Sequence, residues 1–409
     1  MTTIRTLVWC PSHEGHLRYS HHVAVGVRQA DRGLDTGVLT TCPVPAVYQN
    51  GECPIECVGA KIRPAASFPT RLHWLFDRVL FHLRQEWALF KWLRAAAQCD
   101  LVHLQEVHFF TGPVLIFAVR KWLRKSVVLT VHNVFPHRQR RFTPLRLHRF
   151  WSAQTMRGAD ALIVHDKALR EQLVNAYPVS ATNVHIVPHG VWQDDPLPAS
   201  SSAQPDADAQ VSVEHGPVIL FYGTIRENKG LHQLLDSFEI APESWQLIIA
   251  GSPMGQEAYF DAQIVPRVER LRAQGRRVET CFDFIANDQV RTYFDRATLL
   301  ALPYQDFAAQ SGVLFDAICY RVPVVCTDVG ALGSAVGDMK IGVVAANAQP
   351  ETWVSAVNKL LAKDPAQLAL ALDTAAQENS WARVGELTAQ LYRQTVSGNA
   401  IKPQMPIKS

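Results

Sequence analysis

Residues 218–250, VILFYGTIRENKGLHQLLDSFEIAPESWQLIIA, read as one strand–loop–helix–strand unit. Val218–Tyr222 is a short continuous apolar run, the pattern of a strand buried on both faces. Gly230–Phe238 carries its leucines at helical spacing, and Gln246–Ala250 is a second apolar run. Two such strands joined through a helix lie parallel in one sheet. The rhythm continues toward the C-terminus. Asp288–Asp295 is helical, Thr298–Leu302 a strand, Ser311–Tyr320 helical and Pro323–Thr327 a strand. Pro350–Leu361 and Ser380–Thr395 are helical by pattern. Toward the N-terminus the same alternation gives strands at Ile4–Cys10, Asp100–Leu104, Ser126–Val131, Ala161–Val164 and Val184–Val187, with a helix over about His16 to Arg32. Between the two series lies DDPLPASSSAQPDADAQVSVEHGP, residues 194–217, rich in Ser, Ala, Asp and Pro and without apolar periodicity. It reads as a linker. The fold class is therefore α/β, with two doubly wound parallel-sheet domains on either side of residues 194–217.

Composition agrees. A chain of 409 residues with 48% hydrophobic and 19% charged residues has room for two or three packed domains and is not disordered. No apolar run approaches the ~18–20 residues that span a bilayer. The start, MTTIRTLVWCPSHEGH, lacks a basic segment followed by a long apolar one, so a cytoplasmic location is expected. The eight cysteines are scattered, as in a reducing compartment, and Cys42, Cys53 and Cys57 do not have zinc spacing. Charge is uneven. Residues 1–200 hold 23 Lys and Arg against 14 Asp and Glu, a balance of +9; the remainder holds 17 against 23, a balance of −6. The basic half is expected to face something anionic.

Ligands of open parallel sheets bind beyond the carboxyl ends of the strands, which selects positions. After Val218–Tyr222 comes GTIRENKG, residues 223–230, in which glycines expose amides and Arg226 and Lys229 add positive charge before a helix N-terminus. That combination holds a diphosphate, although alone it is equally a glycine turn with two solvated charges. After Thr298–Leu302, Gln310, Ser311 and Gly312 lead into a helix, a second phosphate cradle or an ordinary cap by Ser311. Asp316 follows, able to accept ribose hydroxyls or to sit in solvent. His132 and His137 stand at the carboxyl end of Ser126–Val131, and Gly15 in the loop after the first strand permits close approach of a ligand. No GxGxxG follows a strand, and no GxxxxGK or GxSxG is present. The one Asp-x-Asp, Asp206 and Asp208, lies in the linker, so no carboxylate-held metal and no cofactor is expected.

Seven segments in order resemble the retaining glycosyltransferases of the GT-B fold, close to glycosyltransferase family 4. They are TVHNVFPH (130–137), VHIVPHGV (184–191), LFYGTIRENKG (220–230), LIIAGSP (247–253), FIANDQVRTYFDRATLLALPY (284–304), QSGVLFDAICYRVPVVCTDVG (310–330) and SWARVGELTAQLYRQ (380–394). The resemblance implies two Rossmann-like domains facing a central crevice: an acceptor domain over 1–193, a nucleotide-sugar domain over 218–379, and a final helix and tail over 380–409 that cross back to the first. It implies that Arg226 and Lys229 bind the donor diphosphate after Gly223. Gln310, Ser311, Gly312 and Val313 would lie at the donor sugar and distal phosphate, with Asp316 on the ribose. Phe284 and Ile285 would flank the base, His132 would approach the donor sugar, and Gly15 would stand in the glycine loop. Four positions depart from the family pattern: Ala308 replaces the first of two glutamates, with Asp306 the nearest substitute, and Glu14, Thr224 and Ser334 replace a Gly, an Arg and a Glu.

The implied reaction moves a sugar from a UDP- or GDP-linked donor to a glycan acceptor with retention, in bacterial surface polysaccharide synthesis. The acceptor domain adds a basic aromatic segment, Arg71–Gln98, and the clusters Arg120–Lys125 and Arg138–Arg149. These fit a lipid-linked acceptor and peripheral contact with a membrane, or equally a core face with solvated charges. No nucleic-acid motif accompanies the charge. A non-catalytic scaffold of the same fold is the alternative, favoured by Ala308 and opposed by the Arg226 and Lys229 pair.

Overall fold

The computed structural model describes residues 3–10, 14–41, 43–49, 51–58, 88, 90–105, 112–132, 134, 145–191, 216–306 and 311–398. They form two compact units, one from Met1–Gly190 with Ser380–Ser409, the other from Val191–Asn379. Most of residues 194–217, and most of Arg71–Gln98 and Arg138–Arg149, lie outside the described residues.

The first unit is built on seven parallel strands: β1 (Ile4–Cys10), β2 (Leu34–Thr40), β3 (Ile55–Cys57), β4 (Leu101–Leu104), β5 (Ser126–Thr130), β6 (Ala161–Val164) and β7 (Val184–Ile186). Their order is β3-β2-β1-β4-β5-β6-β7, with every pair parallel. β4 and β6 are buried at every position, as parallel strands covered on both faces must be. Sequence patterning did not assign β2 and β3. Asp35 and Gly37 interrupt the apolar run of β2, and β3 is a three-residue edge strand whose Glu56 and Cys57 are exposed. Helix α1 (Glu14–Ala30) begins earlier than its apolar pattern indicated. Gly15 is therefore not in a loop but in the first helical turn, where backbone N–H groups have no intrahelical acceptor. Helices α2 (Gly112–Phe117), α3 (Leu145–Gly158) and α4 (Lys167–Ala176) follow in the crossovers. Trp92 is fully buried, its ring 5.8 Å from that of Trp9, so this part of the aromatic segment is core.

The second unit has six parallel strands: β8 (Val218–Tyr222), β9 (Gln246–Ala250), β10 (Arg277–Cys281), β11 (Leu299–Leu302), β12 (Val324–Thr327) and β13 (Gly342–Ala345). The order is β10-β9-β8-β11-β12-β13. Successive residues sort to opposite faces. Ile219, Phe221, Leu247 and Ile249 pack with Leu231, Leu234 and Phe238 of α5 (Leu231–Ile240); Leu220, Ile248, Leu300 and Leu302 pack with Leu314 and Phe315 of α6 (Gly312–Cys319). The period of two along each strand thus produces helices on both faces. α7 (Pro350–Leu361) lies on the first face and α8 (Pro365–Glu378) on the second.

The last helix, α9 (Trp381–Ser397), belongs to the first unit and packs along α1. Gly26 and Gly385 make that contact possible. A Cβ on Gly26 would meet Trp381 O at 2.7 Å, and one on Gly385 would meet the Gly26 carbonyl carbon at 2.3 Å. Arg393 donates to Asp31 Oδ1 at 2.8 Å beyond the crossing, and this hydrogen bond holds the Asp31 carboxyl below the usual carboxylate range.

Candidate functional site

In each sheet the strand order reverses once, between β1 and β4 and between β8 and β11. Loops at the carboxyl ends of those strands diverge and leave a crevice. In the second unit they are the loop after β8 and the loop after β11, which sequence reading selected for anions.

Glycines fasten these loops together. Gly223 adopts φ +106°, and a Cβ there would lie 3.2 Å from Val313 Cγ2, so the turn after β8 rests against the start of α6. Gly230 adopts φ +68°, and its Cβ would strike Pro303 O at 1.9 Å. Gln305 N donates to Asn228 O at 3.0 Å, and Asn228 Nδ2 to Asp306 O at 3.1 Å. His232, one turn on, joins the same loops: Gln305 donates to its Nε2 at 3.1 Å and its Nδ1 donates to Tyr259 Oη at 2.7 Å.

Lys229 is set in this frame with its Nζ 3.6 Å from the centre of the Tyr304 ring. Burial, and then the neighbouring Arg226 charge, lower its pKa to about 7. Arg226 itself is exposed. Tyr304 is buried, and its hydroxyl pairs with Ser311 Oγ at 2.9 Å. Ser311 occupies the N-cap position of α6, yet its side chain makes no capping bond. The amides of Gly312 and Val313 therefore open the helix without a side-chain cap, and Lys229 in the adjoining loop lies against Tyr304, the partner of Ser311. Asp316 stands one turn further along α6, half-buried. Gln310, Ala308 and His137 lie outside the described residues. Asp306 is exposed, and the Ser334 hydroxyl turns back to Ala331 O.

The base-flanking pair divides. Phe284 is 76% exposed, whereas Ile285 is 7% exposed and packs in the core with Val290 and Leu314. The Ile285 side chain thus contributes to the core, where an apolar side chain gains more from burial than from a solvated loop, while Phe284 stands in solvent.

In the first unit the strand ends carry a polar row. Gln105 follows β4, His132 stands just past β5, His165 follows β6 and His189 lies beyond β7. His132 Nδ1 is 3.0 Å from His165 Nε2, and His132 Nε2 is 3.1 Å from the Gln105 side-chain amide. His165 Nδ1 donates to Val187 O at 3.0 Å. His16 of α1 stacks on His132 with ring centres 4.8 Å apart, and Tyr19 meets His132 edge-on at 5.1 Å. Burial lowers the pKa of His132 well below its ordinary value, that of His165 to about 4 and that of His189 to about 3. These rings are neutral at pH 7. Sequence reading had found only His132 of this row. The same rule of strand ends, applied to Asp100–Leu104, Ala161–Val164 and Val184–Val187, would have found Gln105, His165 and His189. Among the described residues no group of three or more His, Cys, Asp or Glu side chains is arranged to hold a metal ion.

Two family descriptions match the chain: "Glycosyltransferase Family 4" over residues 15–194 and "Glycosyl transferases group 1" over residues 216–363. A D-inositol 3-phosphate glycosyltransferase of Xylanimonas cellulosilytica is 26% identical over 249 residues, 59% of this chain and 58% of that protein. An alpha-maltose-1-phosphate synthase of Mycobacterium tuberculosis is 26% identical over 259 residues, 59% of this chain and 65% of that protein. The chain thus matches about three fifths of the length of these relatives. Among solved structures, HepE of Anabaena in complex with UDP superposes with TM-score 0.68 at 16% identity, over 96% of this chain and 100% of that one. Sucrose-phosphate synthase of Thermosynechococcus elongatus superposes with TM-score 0.69 at 17% identity, over 97% and 100%. With two parallel Rossmann-like sheets and a family match across both units, the chain belongs to glycosyltransferase family 4 and has the GT-B fold.

Proposed function

We propose that the protein transfers a sugar from a nucleotide-diphosphate donor to a glycan acceptor with retention of configuration. The observation that carries this reading is the meeting of Arg226, Lys229, Gly223 and the N-terminus of α6 at the β8/β11 strand ends. A diphosphate leaving group gains negative charge as its bond to the sugar C1 breaks. The Arg226 guanidinium, the Lys229 ammonium that the diphosphate itself keeps protonated, and a helix N-terminus stabilise that charge. The acceptor hydroxyl attacks C1 from the face the diphosphate leaves. The new C1–O bond forms as the old one breaks, and the hydroxyl proton passes to the leaving phosphate oxygen. Asp316 would take the ribose hydroxyls, Phe284 the base, and His132 a hydroxyl of the donor sugar. Gln310 and Gly15 are assigned by resemblance to the sugar and phosphate region. No resident cofactor has a step in this scheme.

The donor is best tried first as a UDP-sugar, since the HepE structures hold UDP and UDP-glucose. A lipid-linked acceptor, in surface polysaccharide synthesis at the inner face of a membrane, is supported by the first unit's own surface. Between α2 and α3 lies a groove of about 660 Å³ lined by Val114, Phe117 and Phe150 together with Arg120, Lys121 and Arg157. Val114, Phe117 and Phe150 are each more than half exposed, a combination that fits acyl chains beneath anionic headgroups.

Thermal unfolding in the presence of UDP, GDP or ADP tests the donor site. A ligand bound only by the native state adds about 2.7 kcal/mol of stability at a hundredfold excess over Kd. We expect one nucleotide to raise the Tm of the wild type and not that of Lys229→Ala. No rise with any nucleotide in folded protein would overturn the enzyme reading and leave the scaffold reading in its place.

A further inference from the structure

We infer that His165 is a positioning residue that locks His132 in one tautomer, hydrogen on Nδ1 and lone pair on Nε2, a lone pair that Gln105 occupies in the unliganded protein and that a sugar hydroxyl would take over as donor. The inference deepens the assignment of His132 to the donor sugar and rests on it for its functional half.

The register is set by a carbonyl. Val187 O can only accept, so His165 Nδ1, 3.0 Å away, carries a hydrogen. A neutral His165 then has its lone pair on Nε2. That atom lies 3.0 Å from His132 Nδ1, which must therefore donate. His132 Nε2 is left as an acceptor, and the Gln105 amide end at 3.1 Å must be its NH2, a half-turn from the orientation with Oε1 inward. The Gln105 oxygen then faces His103 Nε2 at 3.4 Å. His103 Nε2 donates, chiefly to Thr130 Oγ1 at 2.7 Å, and its Nδ1 accepts from the Tyr392 hydroxyl at 2.6 Å. One directional chain of hydrogen bonds thus runs from Tyr392 on α9, through β4, β5 and β6, to the segment after β7.

The competing register keeps Oε1 toward His132 and needs a second proton on His132 or His165. His165 is buried and His132 half-buried, both beside other imidazoles, and desolvation disfavours the cation. All of the chain's members lie in the first unit, and the ring faces of His132 are fixed by His16 and Tyr19. What His165 adds is the choice of nitrogen.

Nitrogen-15 NMR of the histidine rings in the full-length protein, without ligand, tests the register. We expect His132 to have a protonated Nδ1 and an unprotonated Nε2. His165→Gln places an amide oxygen where Nε2 stood and should preserve this signature, while His165→Leu should lose it. An imidazolium or an Nε2–H tautomer in the wild type, or an unchanged signature in His165→Leu, would overturn the inference. The wild-type spectrum decides even if His165→Leu does not fold. Turnover is read as UDP release from UDP-glucose. His165→Leu is expected to lower kcat about 10- to 100-fold with KM little changed, and His165→Gln to restore most of it. If His132→Ala turns over as fast as the wild type while the NMR signature is as described, the donor-sugar role of His132 falls and the positioning by His165 stands.

Discussion

Lys229 lies in a frame built by its neighbours, and its protonation records what the site holds. Its pKa stands near 7 because burial, and secondarily Arg226, disfavour the ammonium. A bound diphosphate reverses the second cause and raises that pKa. Nucleotide binding at pH 8 should therefore take up close to one proton, and at pH 6, where Lys229 is already charged, almost none. Calorimetry in buffers of different ionisation enthalpy reads this directly, and Lys229→Met should abolish the uptake. The unliganded protein has the opposite linkage. The unfolded chain holds the lysine proton to about pH 10.4 while the folded chain releases it near 7, so this residue's contribution to stability rises with pH between those values. Phe284 and Ile285 make a second contrast of adjacent residues. Ile285→Ala should lower stability by about 2–5 kcal/mol by opening a core cavity, measured by urea unfolding. Phe284→Ala should change stability by less than about 0.5 kcal/mol and weaken nucleotide binding instead. Both side chains were legible as apolar; which of them faced outward was not.

At the scale of elements, two loops and one helix pair decide the architecture. The loops after β8 and β11 are held together at Gly230, which lets the backbone approach Pro303 O, and at Gly223, which rests against the Val313 side chain. The α1/α9 pair is held by Gly26 against Gly385. A methyl group on Gly385 would gain helix propensity of about 1 kcal/mol but meets backbone that cannot move aside. Gly385→Ala should therefore destabilise the first unit by about 1–3 kcal/mol, read as a lower unfolding temperature. The same substitution at Gly312, where a Cβ meets nothing within 4 Å, should leave the Tm unchanged. The strands that patterning passed over are edge or interrupted strands. Arg277–Cys281 is only partly buried, and its alternation with Arg277 and Glu279 hides a strand among polar residues. The central strands, buried on both sides, read clearly for the opposite reason.

For the whole molecule, the charge balance is +9 over residues 1–200 and −6 over the remainder. The first unit carries the groove between α2 and α3 and the exposed Trp122. If that groove meets a bilayer, the protein should float with vesicles containing anionic lipid and not with neutral ones. Each basic residue near the surface contributes about 1 kcal/mol of attraction, which salt screens within a Debye length. Phe117→Ser with Phe150→Ser should release the protein from anionic vesicles at physiological salt without altering nucleotide binding; retention of the double variant on those vesicles would exclude this face. No helix among the described residues is long and apolar enough to cross a membrane.

The sequence by itself determined the α/β class, the two sheets and the loops that carry the anion-binding residues. Those features are written in local periodicity and in glycines and charges placed just after apolar runs, and local patterns need no distant partner to be read. The tertiary structure alone decided the rest. It put Ile285 in the core and Phe284 outside, returned α9 to the first unit against Gly26, and took the Ser311 side chain from its cap to Tyr304. It also aligned Gln105, His132 and His165, residues 27 and 33 positions apart, on neighbouring strand ends. Parallel strand pairing and close backbone approach bring together residues that are remote in sequence, and no window along the chain contains them both.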